Sequence, residues 1–402
     1  MSQIELIGVS GPALGDEQRR LVEGCAVVAV SRRHAPLVAG CTARPIPITP
    51  LDALFEQLNA ALDQGDAAVL ASGDPLFFGI GRSLVDRFGA ERVRIHPALS
   101  SMQLACARFG LPWDDLRLVS VHGRPADTLP GRVLPYPRTL LLTDYQSSPD
   151  RVAADLLAAL RACDDRERIT AIRVRVAENL GLVDERLTTG SLEAISGRHF
   201  GPLNLVLVEQ PARPEVCRFG LGEDEIRHSR GLITKDEVRA AALHRLRLPA
   251  TGVFWDIGGG SGSVSLEAAR LCPELSVYTV ERNPAEQANI RANIRTYGAY
   301  TIHLVDGEAP AALTELPAPD RVFVGGSGGQ LEAILTTAAA RLVPGGRIVV
   351  SAVLKQSETT ARRVLQQLCR SVTSATLAVT RHDPHGGPDR VLNPITLITG
   401  DL

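Results

Sequence analysis

Phe254-Trp255-Asp256-Ile257-Gly258-Gly259-Gly260-Ser261-Gly262-Ser263 leads from an apolar run, through a glycine loop, into a stretch with helical spacing. Glycines let the chain turn tightly and bring bare backbone against a ligand. The free amides at the start of the following helix then point at whatever electron-rich group lies there. Outward from this loop, apolar runs at 253–256, 276–281, 301–306, 321–324, 347–353, 372–380 and 391–399 predict seven strands. Stretches 263–271, 285–297, 330–342 and 358–368 have helical periodicity and fall between the earlier strands. Only Arg381-His382-Asp383-Pro384-His385-Gly386-Gly387-Pro388 joins the last two runs, which predicts a closing antiparallel hairpin. The expected unit is an α/β, Rossmann-like, seven-stranded sheet, distinct from the six-stranded dinucleotide fold.

Asp256, Gly258, Gly260 and Gly262 together spell D-x-G-x-G-x-G, the loop of class I enzymes that hold S-adenosylmethionine (SAM). A carboxylate so close to the loop would repel a pyrophosphate, whereas a sulfonium ligand tolerates it. Ser263 stands where the dinucleotide pattern G-x-G-x-x-G has its third glycine. Glu281 ends the next strand, where an acid can accept both ribose hydroxyls, and Asp306-Gly307-Glu308-Ala309 ends the third, beside the expected adenine edge. Acids at three successive strand ends favour a SAM site over a nicotinamide site or a plain tight turn. Val324-Gly325-Gly326-Ser327-Gly328-Gly329 then offers a glycine floor to a broad, flat substrate, with Gly326 and Ser327 as its contacts; an ordinary strand-to-helix turn is the alternative.

The first half alternates buried-strand runs at 4–9, 26–30, 67–71, 140–143, 171–176 and 203–208 with helical stretches, which implies parallel pairing through crossover helices. Residues 210–231 carry Pro211, Pro214, Gly220, Gly222 and the run Glu223-Asp224-Glu225 and read as a connection between domains. The division is 1–210, a linker at 211–231, and 232–402. A chain of 402 residues suits two or three domains at about 150 residues each.

Lys and Arg number 43 and Asp and Glu 45, a net charge of −2, so no overall basic field marks the chain as a nucleic-acid binder. The seven cysteines are scattered without a C-x-x-C pair, which argues against a zinc knuckle or a disulfide framework. His382 and His385 lie three apart, but no neighbouring Cys or Glu completes a metal site. No apolar run approaches ~18 residues and no secretory signal is visible, so the expectation is a cytoplasmic protein that does not enter a membrane.

Several strings resemble one family. Gly8-Val9-Ser10-Gly11-Pro12, Ser72-Gly73-Asp74-Pro75-Leu76-Phe77-Phe78-Gly79 and Pro97-Ala98-Leu99-Ser100-Ser101-Met102-Gln103-Leu104-Ala105 are similar to successive blocks of the tetrapyrrole methylases, with Ser10 where glycine is more usual. Val30-Ser31-Arg32-Arg33-His34 resembles the branch that methylates late precorrins. In the second half, Leu232-Ile233-Thr234-Lys235-Asp236-Glu237-Val238-Arg239 and the 324–329 loop resemble the partner that methylates and decarboxylates the same intermediate. The order of the strings, across nearly the whole chain, resembles the precorrin-6Y C(5,15)-methyltransferase family.

That resemblance implies a two-lobed tetrapyrrole-methylase (class III) domain followed by the class I unit, with one SAM site in each. It implies SAM contacts at Pro12, Gly73, Asp74 and Ser101 in the first domain. In the second it implies contacts at Thr234, Gly258, Gly260, Gly262, Glu281 and Ala309. The implied reaction is methylation of a late precorrin (precorrin-6B/6Y) at carbons 5 and 15 with loss of the ring-C acetate carboxyl, giving precorrin-8 in cobalamin biosynthesis. The first domain would take carbon 5, and the second carbon 15 and the decarboxylation. The substrate's carboxylates need cationic partners, for which Arg32, Arg33 and His34, and Arg381, His382, His385 and Arg390, are the candidates. A homo-oligomer is expected, without nucleic acid. A SAM-dependent RNA methyltransferase, a nicotinamide oxidoreductase and a non-catalytic scaffold are the competing readings.

Overall fold

A computed structural model describes residues 2–121, 128–213, 217–229, 233–385 and 387–402. Pro214, Gly386 and the predicted boundary at 231–232 lie outside the described residues.

Strands β1 (Ile4–Val9), β2 (Val27–Val30), β3 (Arg44–Pro47), β4 (Ala67–Ser72) and β5 (Val93–His96) form a parallel sheet in the order β3-β2-β4-β1-β5. Helices on both faces bury β1, β2 and nearly all of β4, which explains why these strands read as continuous apolar runs. Glu5 breaks the β1 run. It is buried, and its carboxylate meets Arg94 at 2.7 Å and His96 at 2.6 Å on the neighbouring β5.

A second five-stranded sheet follows, built from β6 (Arg117–Ser120), β7 (Arg138–Leu142), β8 (Arg173–Glu178), β9 (Arg186–Gly190) and β10 (Asn204–Glu209) in the order β6-β7-β10-β8-β9. Only β6 and β7 run parallel here. The expected strand at 171–176 is displaced, because the helix Arg166–Ala171 occupies its first residue. The short strands β3, β5, β6 and β9 carry arginine, proline or threonine at exposed positions and give no apolar run, so the sequence pattern misses them.

The third sheet contains β11 (Thr251–Ile257), β12 (Glu274–Glu281), β13 (Ile302–Asp306), β14 (Arg321–Val324), β15 (Arg347–Ala352), β16 (Ser371–Leu377) and β19 (Ile395–Asp401), ordered β13-β12-β11-β14-β15-β19-β16. β19 runs antiparallel to both β15 and β16, while β17 (Thr380–Arg381) and β18 (Arg390–Val391) extend the closing hairpin as a small ribbon. The strand order reverses between β11 and β14, and a crevice opens at such a point beyond the strand ends.

The described part of the stretch read as a connection between domains is packed against the core. Leu221 and Ile226 are fully buried in the core, each stabilising by about 1.5–3 kcal/mol. The helix Ser263–Leu271 is buried on nearly every side beneath this strap, and its Glu267 sits at 0% exposure. The Glu267 carboxylate accepts the amides of Gly220 at 3.1 Å and Leu221 at 2.8 Å, and lies 3.8 Å from Arg239 and 3.5 Å from Arg270. Burying that charge is tolerable because every side of it finds a donor.

One continuous buried cluster joins the halves, from Val133, Leu134 and Ile169 to Leu275, Ala299 and Ile302. At Gly131 the approach is so close that a Cβ would fall 2.2 Å from the Pro273 carbonyl oxygen. Tyr300 donates its hydroxyl to Asp165 at 2.5 Å and accepts from Arg213 at 2.6 Å, so the seam is both packed and hydrogen-bonded.

Candidate functional site

Two cavities lie at strand ends. The first, of about 610 Å³, opens between the two five-stranded sheets. Val9 to Pro12 after β1, Arg33 and His34 after β2, Ser72 and Gly73 at the end of β4, and Leu99 and Ser101 after β5 form one wall. Thr143 and Asp144 after β7, Asn179 after β8, and Asn204 of β10 form the other. Glycine is required where the first wall is closest, since a Cβ on Gly8 would sit 2.2 Å from the Gly73 carbonyl oxygen.

Of the residues expected to hold SAM here, Pro12, Gly73 and Ser101 line the cavity. Asp74 does not. Its carboxylate accepts the Leu76 amide at 2.9 Å and caps the turn. Arg33 and His34 line the same space, whereas Arg32 is exposed outside it. His34 is only 6% exposed; burial, and then the adjacent Arg33, push its imidazole below its ordinary pKa, with the Leu70 backbone opposing in part. Burial also lowers Arg33.

The second cavity, about 190 Å³, occupies the crevice between β11 and β14. Gly258, Glu281, Ala309, Gly326 and Ser327 all line it. Gly258 has φ +69°, and a Cβ there would lie 2.4 Å from the Gly326 carbonyl oxygen, so the two glycine loops touch through backbone alone. The Gly258 and Gly259 amides donate to the Val280 carbonyl at 3.0 and 3.1 Å, which locks the loop to β12. Glu281 accepts the Gly260 amide at 2.8 Å with one oxygen and the Asn283 amide at 2.8 Å with the other. Each oxygen keeps a lone pair for a hydroxyl donor. An acid at this strand end, a backbone cradle that side chains would fill, and free space between them fit an adenosyl group.

Several predicted residues stand behind this wall rather than on it. Asp256 is 1% exposed and bonds to Ser265, 3.2 Å from its amide and 2.6 Å from its hydroxyl. Burial pushes its carboxyl up to about 6, against the pull of the Ser265 bonds, and the Glu281 charge adds to the rise. Its place is at the root of the loop, where it fixes the first turn of the helix; it does not reach the cavity. Gly260 and Gly262 likewise shape the turn, Asp306 accepts from Gln287 at 2.6 Å, and the Thr234 carbonyl accepts from Arg239 at 3.0 Å.

Two of the hairpin cations are committed elsewhere. Arg381 bonds to Glu237 at 2.7 and 2.9 Å and to Glu223 at 2.7 Å, which raises its pKa further and clasps the hairpin to the strap. His382 pairs with Asp389 at 3.0 Å, and Arg390 is exposed on the ribbon opposite Arg381. His385 is exposed in the same turn-rich segment.

Sequence reasoning gave no contact role to four lining residues that the strand ends supply, although Ser72 and Glu308 lie within strings it singled out. Ser72 and Asn179 end or follow apolar strands, and Arg282 and Glu308, which pair across the mouth of the second cavity, each follow an acid-bearing strand end. A polar residue immediately after a buried run was the available signal.

Comparison with known proteins agrees with both halves. A family model described as Tetrapyrrole (Corrin/Porphyrin) Methylases matches residues 17–196, and one described as Precorrin methyltransferase domain matches residues 225–396. The chain is similar to precorrin-6Y C(5,15)-methyltransferase [decarboxylating] of a Sinorhizobium species, 37% identical over 357 residues, covering 87% of this chain and 83% of that protein. It is also similar to cobalt-precorrin-6B C(15)-methyltransferase (decarboxylating) of Salmonella typhimurium, 42% identical over 125 residues, 31% of this chain and 64% of that protein. A third relative, cobalt-precorrin-7 C(5)-methyltransferase of the same species, is 34% identical over 158 residues, 39% of this chain and 72% of that protein.

Proposed function

The chain belongs to the decarboxylating precorrin-6Y C(5,15)-methyltransferase family, and from that premise we propose that it methylates a late precorrin at carbons 5 and 15 and removes the ring-C acetate carboxyl. The observation that carries this reading is the presence on one chain of two strand-end cavities, each lined by three of the residues expected to hold SAM. Carbon 5 is assigned to the first cavity, and carbon 15 with the decarboxylation to the second. Support comes from two separate relatives, one named for carbon 5 and one for carbon 15 with decarboxylation.

SAM, when bound, supplies an electrophilic methyl on a cationic sulfur. In the first cavity Pro12, Gly73 and Ser101 would hold it; in the second, Gly258, Glu281 and Ala309 would. The chain's own work is to exclude water and align a ring carbon with that methyl. Such alignment is worth an effective molarity of about 10⁵–10⁸ M. Arg33 is the cation that lines the first cavity beside the substrate's carboxylates, while Arg282 at the second is paired with Glu308. Loss of carbon dioxide leaves an electron pair that the macrocycle's conjugated imines hold until a proton is added.

Mass spectrometry after incubation of the reduced precorrin with SAM tests the reading. The expected product has gained two methyl groups and lost one carbon dioxide. An unchanged substrate mass, with the protein folded and SAM bound, would refute it.

A further inference from the structure

Ser72 ends β4 on the wall of the first cavity, and two neighbours use its hydroxyl in opposite senses. Arg33 Nη2 donates to Ser72 Oγ. His34 Nε2 stands 3.3 Å from the same oxygen and 3.5 Å from Arg33 Nη2. A guanidinium carries donors and no acceptor. The serine oxygen accepts from Arg33. We take its own hydrogen to point at Nε2, the arrangement that puts the lone pair on Nε2 and the ring proton on Nδ1. His34 is held neutral by its burial and by Arg33 beside it. A neutral, buried imidazole is poorly suited to gripping a carboxylate, the role expected of it from the sequence, and well suited to receiving a proton.

The proposed chemistry needs such an acceptor. When a trigonal ring carbon that bears hydrogen takes a methyl group, its enamine pair forms the new carbon–carbon bond while the methyl–sulfur bond breaks. The ring is left cationic, and conjugation returns only when the carbon–hydrogen pair flows back and the hydrogen departs as a proton. We propose that Ser72 and His34 are a proton-transfer pair for methylation in the first cavity. Ser72 Oγ takes the departing proton and passes its own to His34 Nε2, with Arg33 orienting the serine. The imidazolium so formed faces a like charge on Arg33 and gives the proton up to water. The sum is one methylated ring, one S-adenosylhomocysteine and one proton, with no change of oxidation state to supply from outside. Ser72 is the group that meets substrate; His34 and Arg33 act through it. The inference rests on the assignment of carbon 5 to the first domain.

The test uses the full-length protein and its S72A, S72T and H34Q variants, with both product methyl groups located by NMR. General-base contributions are typically about 10²–10⁴-fold, and S72A and H34Q should lose at least about 10²-fold in the rate at carbon 5. A substrate deuterated at carbon 5 should show a larger isotope effect in H34Q than in the wild type, because proton removal has become slow. S72T, which keeps the hydroxyl, should recover much of the carbon-5 rate that S72A loses. SAM affinity by calorimetry should be unchanged throughout, and ¹⁵N NMR of the ligand-free protein should show His34 neutral and protonated on Nδ1. Unchanged carbon-5 rates, an isotope effect equal to the wild type, or loss of SAM binding in step with rate would overturn the relay. A loss confined to the carbon-15 methyl would instead overturn the assignment of carbons to domains.

Discussion

Gly258→Ala is the most incisive perturbation of the second cavity. The residue has φ +69°, and an added Cβ would stand 2.4 Å from the Gly326 carbonyl oxygen and 2.7 Å from the Gly326 amide nitrogen. Left-handed backbone costs a non-glycine residue about 1–2 kcal/mol. A carbon and a carbonyl oxygen rest no closer than about 3.3 Å, so the two loops must part by about 1 Å. Displacement of about 1 Å in a positioned site costs about 10²-fold in rate. The expected outcome is a SAM stoichiometry falling from two to one per chain in titration calorimetry. The carbon-15 methyl and the carbon dioxide release should slow by about 10²-fold while the carbon-5 methyl persists. Strain alone should lower the Tm by about 2–8 °C for a domain of this size. Two equivalents of SAM bound with unaltered affinity would refute the claim that backbone contact between these loops forms the site.

Three further outcomes follow from buried polar groups. Asp256 has its carboxyl raised to about 6 in the folded chain, so the folded state holds the extra proton between the ordinary carboxylate value and that point, and stability falls as pH rises through the window. The effect is of order 3 kcal/mol, and urea unfolding of D256N should show a flatter profile between about pH 4 and 6. Glu267→Leu leaves the Gly220 and Leu221 amides without their acceptor and removes the buried carboxylate 3.8 Å from the 2%-exposed Arg239; chemical denaturation should show a loss of about 3–5 kcal/mol, with E267Q losing less. Tyr300→Phe removes the donor to Asp165 and the acceptor for Arg213, costing about 1–3 kcal/mol. Scanning calorimetry should then show the two halves unfolding less cooperatively than in the wild type.

The glycine loop was legible because its signal is local: backbone conformation and closeness select glycine regardless of what surrounds it. The long parallel strands were legible for a related reason, since burial on both faces leaves a largely apolar run. The packing of the strap at 217–229 was not legible, because its glycines and acids, following Pro211 and Pro214, read only as a connection between domains. Its partners, Glu267 and Asn293, are supplied by helices some 50 to 70 residues further along the chain. Arg381 misled for the same reason. A cation in a turn reads as a partner for substrate carboxylates until Glu223 and Glu237 are found folded against it. Asp256 marked the loop correctly as a sequence landmark, but burial and Ser265 direct its carboxylate inward.

Magnitudes decide which of the two kinds of residue matters more to catalysis. Alignment in a dry cavity contributes about 10⁵–10⁸ M of effective concentration, whereas a well-placed base contributes about 10²–10⁴-fold. Backbone therefore dominates. Among the described residues lining the second cavity, the titratable side chains are Glu281, Arg282 and Glu308. Glu281 already serves two amides, and the other two pair with each other. That wall is built to position. The first cavity adds Ser72 and His34 to a comparable glycine framework, so removing either should leave a slow enzyme rather than a dead one. A residual rate at carbon 5 in S72A, well above the reaction in water, is therefore the expected signature of positioning, and the gap between that rate and the wild type measures the relay alone.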